Sequence, residues 1–531
     1  MSPRTVFVRE ATGLVREYSP IEGFISNFGN VSPIFSAAFT TFFIYYAVPG
    51  GDVVFNTFLG MMCGILGYVT AIAMLSASMP RSGAPYVIQS RILHPSIGFA
   101  METMMWLALC PAMASYATAY INFWALAPGL YVLGQTTGNP ALVEISSVIT
   151  TPIWSTAIGT AFLLFTFLVA VLGVRLLLRY YQRILFAVYL VGLVVMFAVL
   201  ATSNHADFVS KFNAFVGQNY DDIISIAKNA YPYAFAPVAY TAAILLPALG
   251  MTGGTTNTYW TSYYTGEMKR AGTLTGQLIN MVASCVALGF GVIAIVALEE
   301  VVIGRDFLVA ITQLSTNSPG QLAAPLVRGG VATNFPIFIL ASPPVQVLWL
   351  ITLIAAALLT VPAIWMAGSR LLLAWSFDRL LPSKLAEVND RFHTPIMSLA
   401  VFLVVSEIFL LMMTWTTYLG QLLAFTWMFS FIPISFTCLS AIVFPFRKKL
   451  YDLSPAKSWK IGAIPIVAIV GLVGFLYNVN SAYQYWVLWL GTNPWFIAFF
   501  VASFILYWII RAIRKSQGID TDLLFAEIPP E

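Results

Sequence analysis

Along the chain, long apolar runs alternate with short polar connections, and twelve of the runs approach or exceed the roughly 18–20 residues that carry an α-helix across a hydrocarbon core of about 30 Å. They extend approximately over Ile21–Val48, Val53–Ser78, Ser96–Leu130, Ile149–Val174, Ile184–Thr202, Phe235–Gly266, Gly276–Val302, Val345–Phe377, Pro395–Trp415, Leu419–Phe444, Ile461–Leu476 and Asn493–Ile513. The polar segment 1–20 before the first run is followed by no small-residue cleavage site, so it reads as a retained N-terminal segment rather than a signal peptide. An even number of spans puts both termini on one side. With the termini in the cytoplasm, 22 of the 26 Lys and Arg residues, Arg4 and Arg9 among them, fall inside. Lys211, Lys228, Arg305 and Arg328 remain outside, and no basic residue is left in the bilayer core. The expected location is therefore the cell (plasma or inner) membrane, multi-pass, with both termini cytoplasmic.

Composition agrees with lipid as the solvent. Charged residues make up 9% of the chain and hydrophobic residues 59%, against about 25% charge in soluble domains. A soluble enzyme is excluded, and a net charge of +4 is too small to imply nucleic acid. Cys63, Cys110, Cys285 and Cys438 all fall in spans and read as small buried hydrophobes, with no CxxC spacing. His94, His205 and His393 fall in connections, so an embedded metal centre has no ligands. No cofactor beyond a coupling proton or sodium is expected, no metal, and no obligate protein partner; the lipid bilayer and a small-molecule substrate are the expected contacts.

Two spans contain sequence that a continuous helix avoids. In the first, Gly29-Asn30-Val31-Ser32-Pro33 interrupts the apolar run, and Pro33 lacks an N–H while its ring crowds the Gly29 carbonyl. In the sixth, Gly250 to Thr258 brings three glycines, four threonines and Asn257 to membrane depth. Irregular backbone survives at that depth only against protein or a water-filled cavity, so each break predicts a cavity. Each break also opens a block of five spans, and an odd block inverts its second copy in the membrane. The predicted organisation is a cytoplasmic segment 1–20, a first inverted repeat 21–204, an extracellular loop 205–234, a second repeat 235–445, two further spans in 446–513 and a cytoplasmic tail 514–531. Half-helices after each break would offer N–H groups to a carboxylate, and those before it carbonyls to an ammonium. A zwitterionic amino acid matches both ends.

Short motifs then extend the picture. Pro80-Arg81-Ser82-Gly83-Ala84-Pro85-Tyr86 with Arg91-Ile92-Leu93-His94-Pro95-Ser96-Ile97-Gly98-Phe99 resembles the P-x-S-G-x-x-Y…G/H-P-x-x-G-F signature of the amino acid–polyamine–organocation superfamily of permeases. Ser369-Arg370-Leu371, Asp378-Arg379-Leu380-Leu381-Pro382 and Thr394-Pro395 are similar to its SR…D-x-x-L-P…TP stretch, and Glu267-Met268-Lys269 to its E-x-K. The tail from Gly518-Ile519-Asp520 to Glu531 also has the family's flavour. The resemblance implies an all-α polytopic protein with the leucine-transporter-like fold: ten core helices as two inverted fives, two peripheral helices, broken helices 1 and 6, and alternating access. It places the substrate between helices one, three, six, eight and ten, and implies Gly29, Asn30, Val31, Ser32 and Pro33 with Gly253, Gly254, Thr255, Thr256 and Asn257 as substrate-binding residues. The family's G-S-G-I-F is here Val31-Ser32-Pro33-Ile34-Phe35, which keeps I-F but replaces two glycines.

Glu102 in the third predicted span and Glu407 in the ninth are the acidic residues that lie more than a turn from a span end, and an intramembrane carboxyl is a coupling candidate. Glu102 alternatively pairs with a cytoplasmic arginine such as Arg183, and Glu407 alternatively makes a structural hydrogen bond. Thr360 either supplies a hydroxyl to a sodium site or bonds back to its own helix. Phe35, Tyr116 and Trp260 are gate candidates, drawn from an aromatic set that also includes Tyr120, Tyr240 and Trp427. The acidic residues Asp52, Glu144, Asp207, Asp221, Asp222, Glu299, Glu300 and Asp306 read as solvated outer faces. No acidic residue lies at either break, which favours neutral amino acids as the cargo of an ion-coupled or exchanging secondary transporter. A permease of the same fold for an amine, polyamine or nucleobase is the alternative; a channel or non-transporting sensor is the alternative from another class.

Overall fold

In lipid a backbone amide has no water to bond, so an apolar chain must satisfy its polar groups within helices. The computed structural model, which describes residues 12–236, 239–322, 335–416, 419–490, 494–519, 525 and 528–529, follows that rule nearly throughout. Arg4, Arg9, Arg328 and the tail residues Asp520 and Glu527 lie outside the described residues. The main helices are α1 (Pro20–Val31), α2 (Pro33–Ala47), α3 (Val53–Ser78), α4 (Ala84–Ile92), α5 (Pro95–Thr137), α6 (Pro152–Val171), α7 (Arg175–Thr202), α8 (Ala242–Met251), α9 (Leu274–Val302), α10 (Pro343–Phe377), α11 (Ile396–Trp415), α12 (Leu419–Val443), α13 (Ile466–Leu488) and α14 (Pro494–Ser516). Among the described residues, ten helices are long and apolar enough to cross a membrane; α1, α2 and α8 are too short to do so singly.

Local sequence explains the ends of the first helix. Ser19 and Glu22 form a capping box, with the Ser19 amide donating to Glu22 Oε2 at 2.6 Å and Pro20 at the first helical position. At its other end Ser32 takes φ +53°, its amide still bonding the Phe28 carbonyl at 2.9 Å, and Pro33 starts α2 on a new axis. The proline has no N–H to give, and the next amide, Ile34, donates at 3.4 Å to the Tyr189 hydroxyl of α7.

Burial separates inner helices from outer ones. In the most apolar stretch of α5, 78% of residues are buried, but only 28% in α7 and 17% in α14. Val194 on α7 and Leu168 on α6 point outward as lipid-facing side chains do. α12 packs along α13 and against α5, while α1 lies against α10. Where α3 crosses α13 the two backbones touch: a Cβ on Gly474 would stand 2.6 Å from the Tyr68 main chain. Small residues permit such contacts between membrane helices.

The structure revises several boundaries. The third run continues seven residues beyond Leu130, to Thr137, and includes a wide π-helical stretch, Tyr116–Leu126. The fifth begins at Arg175 rather than Ile184, because the aliphatic stems of Arg175, Arg179 and Arg183 tolerate a helix running to the interface. Residues 205–234 are no plain loop but hold amphipathic helices His205–Val216 and Tyr220–Ala230. The eleventh run starts as a hairpin of β1 (Lys460–Ile461) and β2 (Ile464–Pro465), paired Lys460 to Pro465, with Gly462 at φ +60° making the turn.

Candidate functional site

Two aromatic ladders meet beside the first helix interruption. Phe35, Phe39 and Phe43 repeat every four residues on α2, and Tyr116, Tyr120 and Trp124 do so on α5, so each set lies along one helix face. They interlock: Tyr120 meets Phe35 edge-on at 4.4 Å between ring centres, and Trp124 meets Phe39 at 5.0 Å. Tyr116 stands at the start of the π-helical stretch of α5, a distortion common at functional sites.

Between this wall and the second interruption lies a small central cavity of about 50 Å³, room for a few water molecules. It takes residues from both interruptions, Asn30 and Val31 from the first and Gly254 and Asn257 from the second. Ser36, Ser115, Thr426 and Ser430 bring hydroxyls to it; Phe39, Tyr116, Tyr120, Trp260 and Trp427 bring rings. None of its lining side chains is charged.

Other predicted site residues stand behind the wall, holding it. Gly29 packs against Leu359, and the Ser32 hydroxyl donates to Tyr189 at 3.0 Å. Pro33 lies against Gly291, and Gly253 against Phe431. Thr255 bonds Thr40 and Thr256 bonds the Tyr68 hydroxyl at 3.0 Å, a hydroxyl that also donates to Asn257 Oδ1 at 3.2 Å. The Asn30 amide donates to the Thr360 carbonyl at 2.6 Å, tying α1 to α10. Phe35 is a packing ring, not a lining one, whereas Tyr116 and Trp260 reach the cavity. Tyr240 does not line it; its hydroxyl accepts from Asn56 and the side chain is partly exposed.

Gly254 explains how close the second interruption comes. A Cβ there would sit 2.3 Å from Trp427 Cζ3, so the indole occupies the space that any other residue needs. The chain after this interruption differs from expectation: residues 252–258 are mostly turns, and Trp260–Glu267 forms a 3₁₀ segment with Tyr264 off helical angles. No α-helical half follows, so no strong dipole end faces the cavity from that side. Gly254 and Asn257, which line the cavity, have backbone amides that make no protein hydrogen bond among the described residues.

The intramembrane carboxyls resolve into distinct roles. Glu102 is fully buried on α5, two turns and about 10 Å along the helix from the cavity. Its Oε1 accepts from Gln89 Nε2 at 2.7 Å and its Oε2 from the Tyr263 hydroxyl at 3.0 Å. Arg183 does not reach it, since that guanidinium pairs with Glu22 at 2.7 Å. Glu407 accepts from Thr160 of α6 at a half-buried contact of two outer helices. The Thr360 hydroxyl bonds back to the Ala357 carbonyl at 2.6 Å. Glu299 and Glu300 are not solvated outer residues: both fall in α9, Glu299 is wholly buried, and Glu300 accepts from the Tyr45 hydroxyl. Their run had already ended in the apolar pattern at Val302, but periodicity did not separate a buried face from a wet one there.

The sequence motifs at and beyond the ends of the spans meet in space. Arg370 grips Glu267 through two bonds of 2.8 and 2.9 Å, both side chains about 1% exposed. Arg91 grips Asp378 at 2.7 and 2.9 Å, and Tyr86 donates to the same carboxylate at 2.7 Å. The N-terminal segment is stitched over this layer, with the Glu17 amide on the Glu267 carbonyl and the Lys269 amide on the Tyr18 carbonyl. Thr12 and Pro529 line one small cavity beside it, so both ends of the described chain lie on this face. Desolvated pairs of this kind hold an arrangement in place because losing one partner strands a buried charge. Sequence reasoning missed the four hydroxyl residues of the cavity, since serine and threonine in membrane helices commonly bond their own backbone; the aromatic ladders were the available signal.

A family model described as "Amino acid permease" matches residues 25–513, nearly the whole chain. A search of curated protein sequences finds no match.

Proposed function

The chain belongs to the amino acid permease family, within the amino acid–polyamine–organocation superfamily, and from that premise we propose that it is a secondary transporter moving neutral amino acids by alternating access. The observation that carries the reading is the uncharged cavity shared by both helix interruptions. The amides of Gly254 and Asn257 suit a substrate carboxylate. On the other side the Asn30 carbonyl, whose i+4 amide turns to Tyr189, suits the ammonium. A lining of aromatic rings and small hydroxyls offers no counter-charge to a dibasic or polyamine side chain.

In this reading the ten continuous spans are joined by two interrupted ones, α1 with α2 and α8 with the segment through Glu267. Twelve crossings in two inverted fives, plus α13 and α14, follow, with both termini cytoplasmic in the plasma or inner membrane. The shared face of Thr12 and Pro529 supports an even number of crossings. The Arg370–Glu267 and Arg91–Asp378 pairs then form the closed cytoplasmic gate. Glu102 is the proposed coupling carboxyl, because it links α5, which lines the cavity, to Tyr263 in the segment that carries Glu267. Coupling by protons is favoured over sodium, since the Thr360 hydroxyl is engaged by its own helix.

The test is a thermal-shift screen of the purified protein against amino acids, followed by counterflow in proteoliposomes. A neutral amino acid should stabilise the protein and exchange across the membrane. Stabilisation only by amines or nucleobases, or a flux that does not saturate, would overturn the reading.

A further inference from the structure

The connection from α12 to α13 carries five basic residues in a fourteen-residue stretch: Arg447, Lys448, Lys449, Lys457 and Lys460. The single acidic residue there, Asp452, is taken by Lys457 at 3.0 Å. Arg447 is fixed in place by donating to the Ile92 carbonyl at 2.8 Å, at the end of α4. Beside it a cavity of about 370 Å³ opens, with Arg91, Arg447, Lys448 and Lys449 on its walls beside Phe446, Phe525 and Ile528, and no carboxylate among the described residues that line it. Arg91 is neutralised by Asp378, so among the described residues Arg447, Lys448 and Lys449 give the cavity an excess of three positive charges.

The same connection carries apolar side chains that the described residues leave uncovered, Phe446 at the cavity itself and two more further along. Phe446 is 81% exposed, Leu453 89% and Ile461 64%, although each belongs to a short segment between two membrane helices. Exposed area of this kind is unfavourable in water by about 25 cal/mol per Å², and three such residues within one connection mark a surface that meets something apolar. The segment follows directly on the end of α12 at Val443 and leads into α13 at Ile466, which sets it at the depth of the lipid headgroups.

Cations alone would follow from the sidedness rule, which needs neither a cavity nor an apolar rim. The combination asks for a ligand with a phosphate on one end and hydrocarbon on the other. We propose that this cavity binds the headgroup of an anionic phospholipid from the leaflet on the face that carries the termini. Lys448 and Lys449 meet the phosphate, and Phe446 lies along the acyl chain. The site rests on the membrane location of the chain and not on what it transports.

The full-length protein in a neutral detergent tests this by native mass spectrometry, with phosphatidylglycerol, phosphatidylcholine or inorganic phosphate as probes. Wild type should retain phosphatidylglycerol, and Lys448→Gln/Lys449→Gln should weaken retention roughly 30-fold at low salt, from about one lysine's worth of surface attraction each. Phe446→Ser should weaken it several-fold, and Lys384→Gln, exposed on the same face, should change nothing. Equal retention of phosphatidylcholine, or a double variant that holds phosphatidylglycerol as wild type does, would overturn the site. Inorganic phosphate displacing the lipid with Phe446→Ser unaffected would show a soluble-anion site instead and overturn the lipid assignment.

Discussion

Replacing Gly254 by alanine puts the proposed site to its sharpest test. The added Cβ would stand 2.3 Å from Cζ3 and 2.5 Å from Cη2 of Trp427, too close for any real contact. Main chain cannot retreat easily, because Thr255 and Thr256 on one side are bonded to Thr40 and Tyr68. The indole must therefore move, against Phe39 at 5.7 Å and Phe431 at 6.2 Å. Overpacking of this size costs about 1–3 kcal/mol, and here the strain falls on a ring that lines the cavity. Counterflow of the amino acid that best stabilises the wild type should drop in apparent affinity by roughly 5- to 150-fold, with helix content by circular dichroism unchanged. Trp427→Leu should be impaired alone, yet Gly254→Ala/Trp427→Leu should lose much less than the two effects added, since the double variant removes the clash. Wild-type affinity in Gly254→Ala, or strict additivity in the double variant, would refute the claim that this glycine exists to admit the indole.

Three further outcomes are expected. Arg370→Gln strands the buried Glu267 carboxylate and should destabilise the protein by about 3–5 kcal/mol, seen as a large fall in melting temperature; Glu267→Gln/Arg370→Gln should recover much of it, and equal loss in both would argue against a desolvated pair. Glu102→Gln should preserve counterflow but abolish accumulation driven by an imposed pH gradient, whereas persisting accumulation would assign this carboxyl a structural role only. Trp260→Ala should weaken substrate binding at least several-fold through lost ring contact, measured by thermal-shift titration, while Phe35→Leu, one layer behind the cavity, should affect stability more than binding.

How much of this was legible in the residues depends on the range of the forces involved. Hydrophobic runs, the caps and the prolines act locally, so the helices, the interruption at Ser32–Pro33 and the irregular stretch around Gly253 could be read in order along the chain. The same local logic put α13 five residues too early, because Ile461 and Ile464 are apolar yet sit in a hairpin turned by Gly462. It also placed Glu299 in solvent, since the burial of one helix face depends on which neighbours arrive against it.

What the sequence determined by itself is the solvent: with 9% charge and apolar runs of membrane length, only lipid and helices are compatible with satisfied backbone groups. It also determined where helices cannot continue, because a missing N–H at Pro33 is a property of one residue. Only the tertiary structure decided which of the interruption residues face a common cavity. Asn30, Val31, Gly254 and Asn257 line it while Ser32, Thr255 and Thr256 turn away to bond Tyr189, Thr40 and Tyr68. Those partners lie up to about two hundred residues away, and a polar side chain in a dry interior goes to whichever partner packing brings within 3 Å. Likewise the motif residues Glu267, Arg370, Arg91 and Asp378 are distant in the chain, and their pairing into one buried layer is a fact of packing that no spacing encodes.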